Sequence, residues 1–328
     1  MKITFELNKW AKTVDLNYKN TVILVDENTK VHCLPILLRQ IPKIDSSKII
    51  VTKSGEQHKN IESCITIWQK LTELKLDRQG VLINLGGGII NDMGGFAASC
   101  FKRGINFINI PTTLLAMVDA TVGGKLGVDF NGYKNHIGLF NTPQEICIDS
   151  IFLKTLNRKE VLSGFAEVIK HALIADIDYW NYISCTPYDQ LNWDKVIKHS
   201  IAIKSKIVNQ DPLEKGKRKI LNFGHTLGHA IESFYMQNGI LHGEAIALGM
   251  KLETMLSNID DITKEEIINF IEKTFELPKL PPLEELKPFL IQDKKNSHGE
   301  LQFSLLEKLG QGNFNKEISI NKISTLWK

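Results

Sequence analysis

The feature that most constrains this 328-residue chain is a rhythm between residues 20 and 113. Short β-branched runs alternate there with amphipathic stretches. TVILVD, KIIVTK, GVLINLGG and INFINIPTT have strand length and are bounded by polar or turn residues. Between them, HKNIESCITIWQKLTEL places apolar residues at helical spacing. Strands that are apolar nearly throughout must be covered on both faces, and strand–helix alternation supplies the cover. The expectation is a parallel, Rossmann-like α/β sheet. Beyond about residue 150 the strand rhythm fades. VIKHALI, NWDKVIKHSIAIKSKIVNQ, HAIESFYM, EAIALGMKLETMLS and KEEIINFIEKTF have helical periodicity instead. The chain is long enough for two domains, expected as an α/β domain over 1–155 and an all-helical domain over 156–328.

Ligands of open parallel sheets bind beyond the carboxyl ends of the strands. Asp26 follows TVILV. It can accept hydrogen bonds from ribose hydroxyls or cap the next helix, and position alone favours the cap. Ser54-Gly55-Glu56 with Lys59 follows KIIVTK, with a nucleotide site and a helix start equally open. The third strand end is NLGGGIINDMGGF, residues 84–96. Gly86, Gly87 and Gly88 precede a helix bearing Asp92, and bare backbone N–H groups at a helix start suit a diphosphate. A tight turn without a ligand is the alternative. Thr112 and Thr113 close the fourth run, and Asp119 follows on LLAMVDA. The segment carrying Gly123, Gly124, Lys125, Lys134 and Asn135 reads as a long polar loop, a class that is usually functional. Its lysines suit an anionic ligand.

The densest chemistry is RKILNFGHTLGHAIESFYMQNGILHGE, residues 218–244. His225 and His229 are four residues apart and share a helix face. His242 opens the next periodic run. Any single histidine is more often packing or surface, but three beside glycines can converge on a divalent metal. Glu167, in GFAEVIKH, is the candidate fourth group. With His225 and His242 it would form a His₂Glu site, a catalytic zinc arrangement with a position left open. HGE at 242–244 is also half of a zinc deaminase motif, but the PCxxC half is absent. Lys170, Lys204, Arg218 and the Lys294–Lys295 pair add positive charge to the same segments.

Composition narrows the class. Forty basic residues against 37 acidic ones, net +3, give no case for nucleic acid or a membrane surface. Five scattered cysteines without a CxxC pair fit a reducing compartment. The N-terminal MKITFELNKWAKTV lacks an apolar signal core, and no run approaches a membrane span. A cytoplasmic protein is expected.

GGGIINDMGGF, KRG, PTTLLAMVDATVGGKLGVDFNGYKN, GFAEVIKH, RKILNFGHTLGHAIE, LHGEAIALGM and DKK occur in the order seen in 3-dehydroquinate synthases. The chain resembles that family from about Asp26 to Gly310. The resemblance implies an NAD-binding α/β domain, a helical metal domain, an active site in the cleft between them, and a homodimer. It implies one divalent metal, zinc or cobalt. The implied reaction converts 3-deoxy-D-arabino-heptulosonate 7-phosphate, an anionic sugar phosphate, to 3-dehydroquinate and phosphate in the shikimate pathway. The implied route is NAD-dependent oxidation, phosphate elimination, re-reduction, ring opening and intramolecular aldol closure.

Carried over by position, Glu167, His225 and His242 would be the metal ligands. Asp26, Glu56, Lys59, Gly87, Gly88, Ile89, Asp92, Thr112, Thr113, Lys125, Lys134, Phe152, Thr155 and Leu156 would contact the cofactor. Arg103, Asp119, Lys125, Asn135, Lys170, Lys204, Arg218, Asn222, His229 and Lys294 would contact substrate. Lys125, Lys170, Arg218, Asn222 and His229 would carry the catalytic roles. Thr121, Leu126 and Asn91 depart from the residues common in the family, whereas Asn135 and His229 are retained and favour it over related sugar-phosphate cyclases. A metal-dependent polyol or alcohol dehydrogenase is the rival enzyme class, but a neutral polyol would give the lysine and arginine cluster no partner. A catalytically silent binding protein would require missing ligands or lysines, and none is missing.

Overall fold

A computed structural model describes residues 2–235, 239–292 and 300–327. The chain divides into two compact units, Met1–Asn157 and Arg158–Lys328. The first unit contains β1 (Lys2–Phe5), α1 (Leu7–Thr13), β2 (Thr21–Asp26), α2 (Glu27–His32), α3 (Leu34–Gln40) and β3 (Ile49–Thr52). It continues with α4 (Ile61–Glu73), β4 (Val81–Gly86), α5 (Gly88–Cys100), β5 (Asn106–Pro111), β6 (Lys125–Phe130), β7 (Tyr133–Phe140) and β8 (Glu145–Ile148). Six of these strands form one parallel sheet in the order β1-β8-β5-β4-β2-β3.

The four apolar runs are β2 to β5, and every residue of β4 is buried. The core on one side joins Val22, Leu24 and Leu82 to Ile67 and Leu71 of α4 and to Met93 and Ala97 of α5. Gly94 lets α5 lie directly on β4, since a Cβ there would fall 2.0 Å from Asn84 Oδ1. The expected polar loop after Asp119 is instead an antiparallel hairpin, β6–β7. Its sequence, KLGVDFNGYKNHIGLF, turns through Asn131-Gly132, both at positive φ. Asn-Gly is a strong hairpin signal. The strands escaped the sequence reading because β7 is largely exposed and has no apolar periodicity.

The second unit contains α6 (Arg158–Ala175), α7 (Ile177–Cys185), α8 (Trp193–Gln210), α9 (His225–Phe234), α10 (His242–Leu256), α11 (Asp261–Thr274) and α12 (Leu283–Gln292). It is helical, with one addition at its C-terminal end. An antiparallel hairpin, β9 (Glu300–Lys308) and β10 (Gln311–Ser319), precedes a short α13 (Ile320–Ser324). Leu301, Phe303, Leu305 and Ile318 of that hairpin join Leu227, Ile231, Leu248 and Leu252 in one core, so the strands act as a lid of apolar side chains on α9 and α10.

Glycines set how closely α6, α9 and α10 approach. A Cβ on Gly243 would fall 2.2 Å from the Ser163 carbonyl oxygen of α6. The Gly243 N–H instead donates to Ser163 Oγ at 3.0 Å. A Cβ on Gly249 would fall 2.1 Å from the Gly224 carbonyl oxygen and 2.7 Å from the Gly228 nitrogen. These are backbone obstacles that no rotamer change removes. We therefore expect Gly249→Ala to lower the urea midpoint by an amount worth about 1–3 kcal/mol, the cost of overpacking a tight core, without a change in slope. An unchanged midpoint would mean that the two helices are not held in contact.

Candidate active site

The first unit gathers one cluster where its strands end. Asp26, the last residue of β2, caps α2: its carboxylate accepts from Thr29 N–H at 2.7 Å and the Thr29 hydroxyl contacts back. The local capping role is thus in place, and it leaves the carboxylate at a strand's carboxyl end. Glu56 to Lys59 form a short turn after β3. Lys59 is 4% exposed, and its ammonium donates to Asp92 Oδ2 of α5 and to Asn135 Oδ1 of β7, both at 2.7 Å. Burial opposes the charge on Lys59, but Asp92, Glu56 and Asp129 outweigh it and raise its pKa. The hairpin is tied to the same point, because Asp129 N–H donates to the Lys59 carbonyl at 2.7 Å. Asp129 in turn accepts from Asn135 N–H at 2.7 Å. Lys134 lies 3.9 Å from Glu56. One buried cation thereby joins β3's end, α5 and the hairpin.

The glycine turn after β4 works by space rather than by unusual backbone angles. Gly87 is the N-cap of α5 and supplies no capping side chain, so the first N–H groups, around Gly88 and Ile89, start a helix bare of side-chain caps. Asn91 braces the turn, its amide donating to the Gly86 and Gly87 carbonyls at 2.8 Å each. Thr113 lies against Gly87, where a Cβ would come within 3.2 Å of its methyl group. Thr112 is buried and its N–H donates to the Gly86 carbonyl at 3.0 Å. Phe152, Thr155 and Leu156 follow β8 at the same edge, with the Thr155 hydroxyl donating to the Phe152 carbonyl at 2.7 Å. Asp119 sits in a π-helical turn, Ala116–Ala120, and Lys125 opens β6 exposed to solvent.

Arg103 stands apart from these residues. It lies between the end of α5 and the start of β5, at the amino edge of the sheet. There it lines an open depression with Asp77, Arg78, Gln79 and Lys102. Lys294, the remaining expected substrate contact, lies outside the described residues.

The second unit holds the candidate metal centre. Glu167, on α6, is fully buried. Its Oε1 lies 3.4 Å from His225 Nε2 and 3.3 Å from His242 Nε2. Each imidazole is held on its other nitrogen. His225 Nδ1 meets the Phe223 carbonyl at 3.0 Å, and His242 Nδ1 faces Glu232 Oε2 at 3.4 Å. An outer acceptor on Nδ1 leaves Nε2 for a metal, the usual support of a ligating histidine. Two imidazole nitrogens and a carboxylate oxygen lie within 4.8 Å of one another, a donor set that suits a divalent ion such as zinc. A second triple, His229, Glu232 and His242, meets the same limit but would use Glu232 directly rather than as support.

The charges at this centre are balanced internally. Burial would raise the Glu167 pKa, but Lys170 and His225 hold it well below the usual carboxylate range. Lys170 is itself buried and pairs with Glu167 Oε2 one turn along α6. Burial and the Lys170 charge lower the His225 pKa. Burial also works against a charge on His242, but Glu167 and Glu232 prevail and raise its pKa to about 10. A bound cation would replace that proton, since ligating imidazole is neutral.

Of the expected substrate residues on this unit, His229 stands beside the centre, and Asn222 and Arg218 meet at Glu214. His229 is exposed, with its ring 5.0 Å from that of His225 and 6.1 Å from that of His242. Asn222 donates to Glu214 Oε1 at 2.9 Å, and Arg218 Nε lies 4.0 Å from Glu214 Oε2. Arg218 and Lys204 are buried to within a few per cent. Glu232 and Glu214 were not singled out from sequence. Glu232 had a usable signal, standing three residues after His229 and seven after His225 on one helical face. Glu214 had none, because its role depends on a turn at positive φ.

The 3-dehydroquinate synthase N-terminal family model matches residues 49–163, and the C-terminal model of the same family matches residues 164–296. The 3-dehydroquinate synthase of Parabacteroides distasonis is 41% identical over 323 residues, covering 94% of this chain and 90% of that protein. Among solved structures, 2-epi-5-epi-valiolone synthase from Streptomyces hygroscopicus with NAD⁺ and Zn²⁺ bound is similar, with a TM-score of 0.88 at 22% identity over 99% of this chain and 95% of that one. A 2-deoxy-scyllo-inosose synthase complexed with carbaglucose-6-phosphate, NAD⁺ and Co²⁺ gives 0.87 at 23%, again over 99% and 95%. At that identity, the two structures speak to the fold.

If Glu167, His225 and His242 are the donors, Glu167→Gln should leave the far-ultraviolet circular dichroism unchanged. Zinc affinity, read by competition with a chromophoric chelator, should fall by more than the roughly 10–100-fold typical of losing an outer partner. Undiminished affinity would move the ion to the His229, Glu232 and His242 set.

Proposed function

The chain belongs to the 3-dehydroquinate synthase family, and from that membership we infer that it converts 3-deoxy-D-arabino-heptulosonate 7-phosphate to 3-dehydroquinate and phosphate. In this reading it is a carbon–oxygen lyase that depends on NAD and one divalent metal, zinc or cobalt, in the shikimate pathway. One observation carries it: family matches on both units coincide with a donor set of Glu167, His225 and His242, with buried Lys170 paired to Glu167. A donor set alone would fit many metalloenzymes. Lys204 and Arg218 on the same helical unit suit an anionic substrate. No helix among the described residues is long and apolar enough to cross a membrane.

When bound, NAD supplies a hydride acceptor and donor, and the cation supplies Lewis acidity toward a substrate hydroxyl or carbonyl. The first unit's residues would hold the nucleotide. The bare N-terminus of α5 at Gly87, Gly88 and Ile89 receives the diphosphate. Asp26 and Glu56 offer carboxylates to ribose hydroxyls, while Lys134 on the hairpin adds positive charge. Lys59, already locked by Asp92 and Asn135, keeps the hairpin in register over the strand ends.

The second unit's residues would orient the substrate. Arg218 and Lys204 bind its carboxylate and phosphate through charge-assisted hydrogen bonds. Glu214 holds Asn222, and the Pro212 carbonyl holds the Arg218 guanidinium at 2.7 Å, which lowers the ordering cost of binding. Lys170 keeps Glu167 ionised, so the donor set does not need to lose a proton from its carboxylate. His229, exposed beside His225, would exchange a proton with a phosphate oxygen. Phosphate leaves with its own basic oxygens available, so no additional strong protein base is demanded.

Phosphate release from the heptulosonate phosphate tests the reading. Release should require both NAD and metal, stop on adding a chelator, and proceed without net gain of NADH absorbance. Steady NADH accumulation with a neutral polyol, and no phosphate release, would make the chain a dehydrogenase. In the same assay, Lys125→Ala should lower turnover by on the order of a hundredfold with circular dichroism unchanged, as for other lost electrostatic contacts. An unaltered rate at saturating substrate and NAD would remove Lys125 from the site.

A further inference from the structure

We propose that Glu253 is a positioning residue for the metal centre, acting through His225; the inference rests on the metal-dependent reading above. Glu253 lies on α10, eleven residues beyond His242, and is fully buried. Its Oε2 accepts from Gly224 N–H at 2.6 Å and its Oε1 from Leu227 N–H at 3.0 Å. These two amides flank His225, the first residue of α9.

The start of α9 explains why a remote carboxylate is needed. A helix begins with N–H groups that have no partner inside the helix, and a Ser, Thr, Asp or Asn at the N-cap normally takes one. Here the N-cap is Gly224, at φ 79, with no side-chain cap. The glycine is required, because a Cβ would fall 2.4 Å from Met250 Cγ as well as straining the backbone. The position that most needs a capping side chain therefore cannot carry one. Glu253 supplies the missing acceptor from the neighbouring helix, one oxygen to each amide. A buried anion is also favoured at the positive end of the helix dipole.

The grip reaches the ligand through geometry. His225 Nε2 faces Glu167 with its Nδ1 on the Phe223 carbonyl, a contact two residues long that depends on the backbone between Phe223 and His225. Fixing the amides at 224 and 227 fixes that backbone on both sides. α10 consequently serves the centre twice, with His242 as a donor at its first turn and with Glu253 holding the other histidine's helix three turns later.

Cobalt(II) is the probe, followed by its visible absorption and by competition with a chromophoric chelator. Glu253→Gln keeps the shape but replaces one acceptor oxygen with an NH₂ group that opposes an N–H. The expected result is a cobalt dissociation constant raised about 10–100-fold with an altered visible spectrum, while NAD⁺ affinity and circular dichroism stay the same. In a His225→Ala background the same substitution should add little, since its effect passes through that ring. A cobalt affinity within about threefold of the unsubstituted chain, with only a lowered unfolding midpoint, would overturn the proposal and leave Glu253 as a plain stabiliser. Should Glu253→Gln not fold, hydrogen exchange on the unsubstituted chain decides. Zinc should slow exchange at the Gly224 and Leu227 amides, and no change there overturns the proposal. If the unsubstituted chain binds neither ion, the metal reading itself fails, a separate result from a Glu253 variant that binds normally.

Discussion

Backbone-to-backbone contact between helices is the constraint on which the second unit depends. Gly243 meets the backbone of Ser163, and Gly249 meets those of Gly224 and Gly228. Glycine inside a helix costs roughly 0.5–1 kcal/mol relative to alanine, so α9 and α10 give up intrinsic stability for proximity. The return comes in two parts. Apolar residues of α9, α10 and the β9–β10 hairpin close into one core. The residues next to the glycines, His225 beside Gly224 and His242 beside Gly243, are brought within 3.4 Å of a single oxygen of Glu167. Side chains at those contacts would force the helices apart, because a Cβ would fall 2.1–2.2 Å from backbone oxygens.

The same logic governs polar groups at both sites. A buried charge is tolerated only with a partner, and several of the partners here also do structural work. Lys59 joins α5 to the β6–β7 hairpin through Asp92 and Asn135. Lys170 pairs with Glu167 within α6. Glu214 holds Asn222 and faces Arg218, and Glu253 holds the first turn of α9. Such preorganisation places the ordering cost in folding rather than in binding. Two carboxylates, Glu167 and Glu232, outweigh burial and favour the charged form of His242, a proton that a bound cation would replace.

What could be read in the sequence divides along physical lines. β2, β4 and β5 were legible because strands buried on both faces must be apolar nearly throughout, and the edge strand β3 was legible from its β-branched run. The helices around the histidines were legible from their period. The β6–β7 and β9–β10 hairpins were not, because one is largely exposed and the other sits in a unit whose helical rhythm dominates. Leu301, Phe303 and Leu305 do recur at every second position of β9, but Ser304 and Leu306 are buried too, so the strand lacks a clean alternation. Among site residues, those on recognisable motifs were accessible, whereas Glu253 was not: its partners lie 29 and 26 residues away, and nothing local in GMKLETML suggests a cap for another helix. Arg103 shows the reverse limit, where a motif names a residue but the topology sets it at the sheet's amino edge.

The central claim is that glycine contacts between α6, α9 and α10 preassemble a His₂Glu donor set for one divalent ion. X-ray absorption fine structure of the zinc-loaded protein tests it most directly. The account predicts nearest scatterers that are all nitrogen or oxygen, at about 2.0–2.2 Å, with the outer-ring scattering of two imidazoles. Sulfur at about 2.3 Å, or a shell with fewer than two imidazoles, would contradict it.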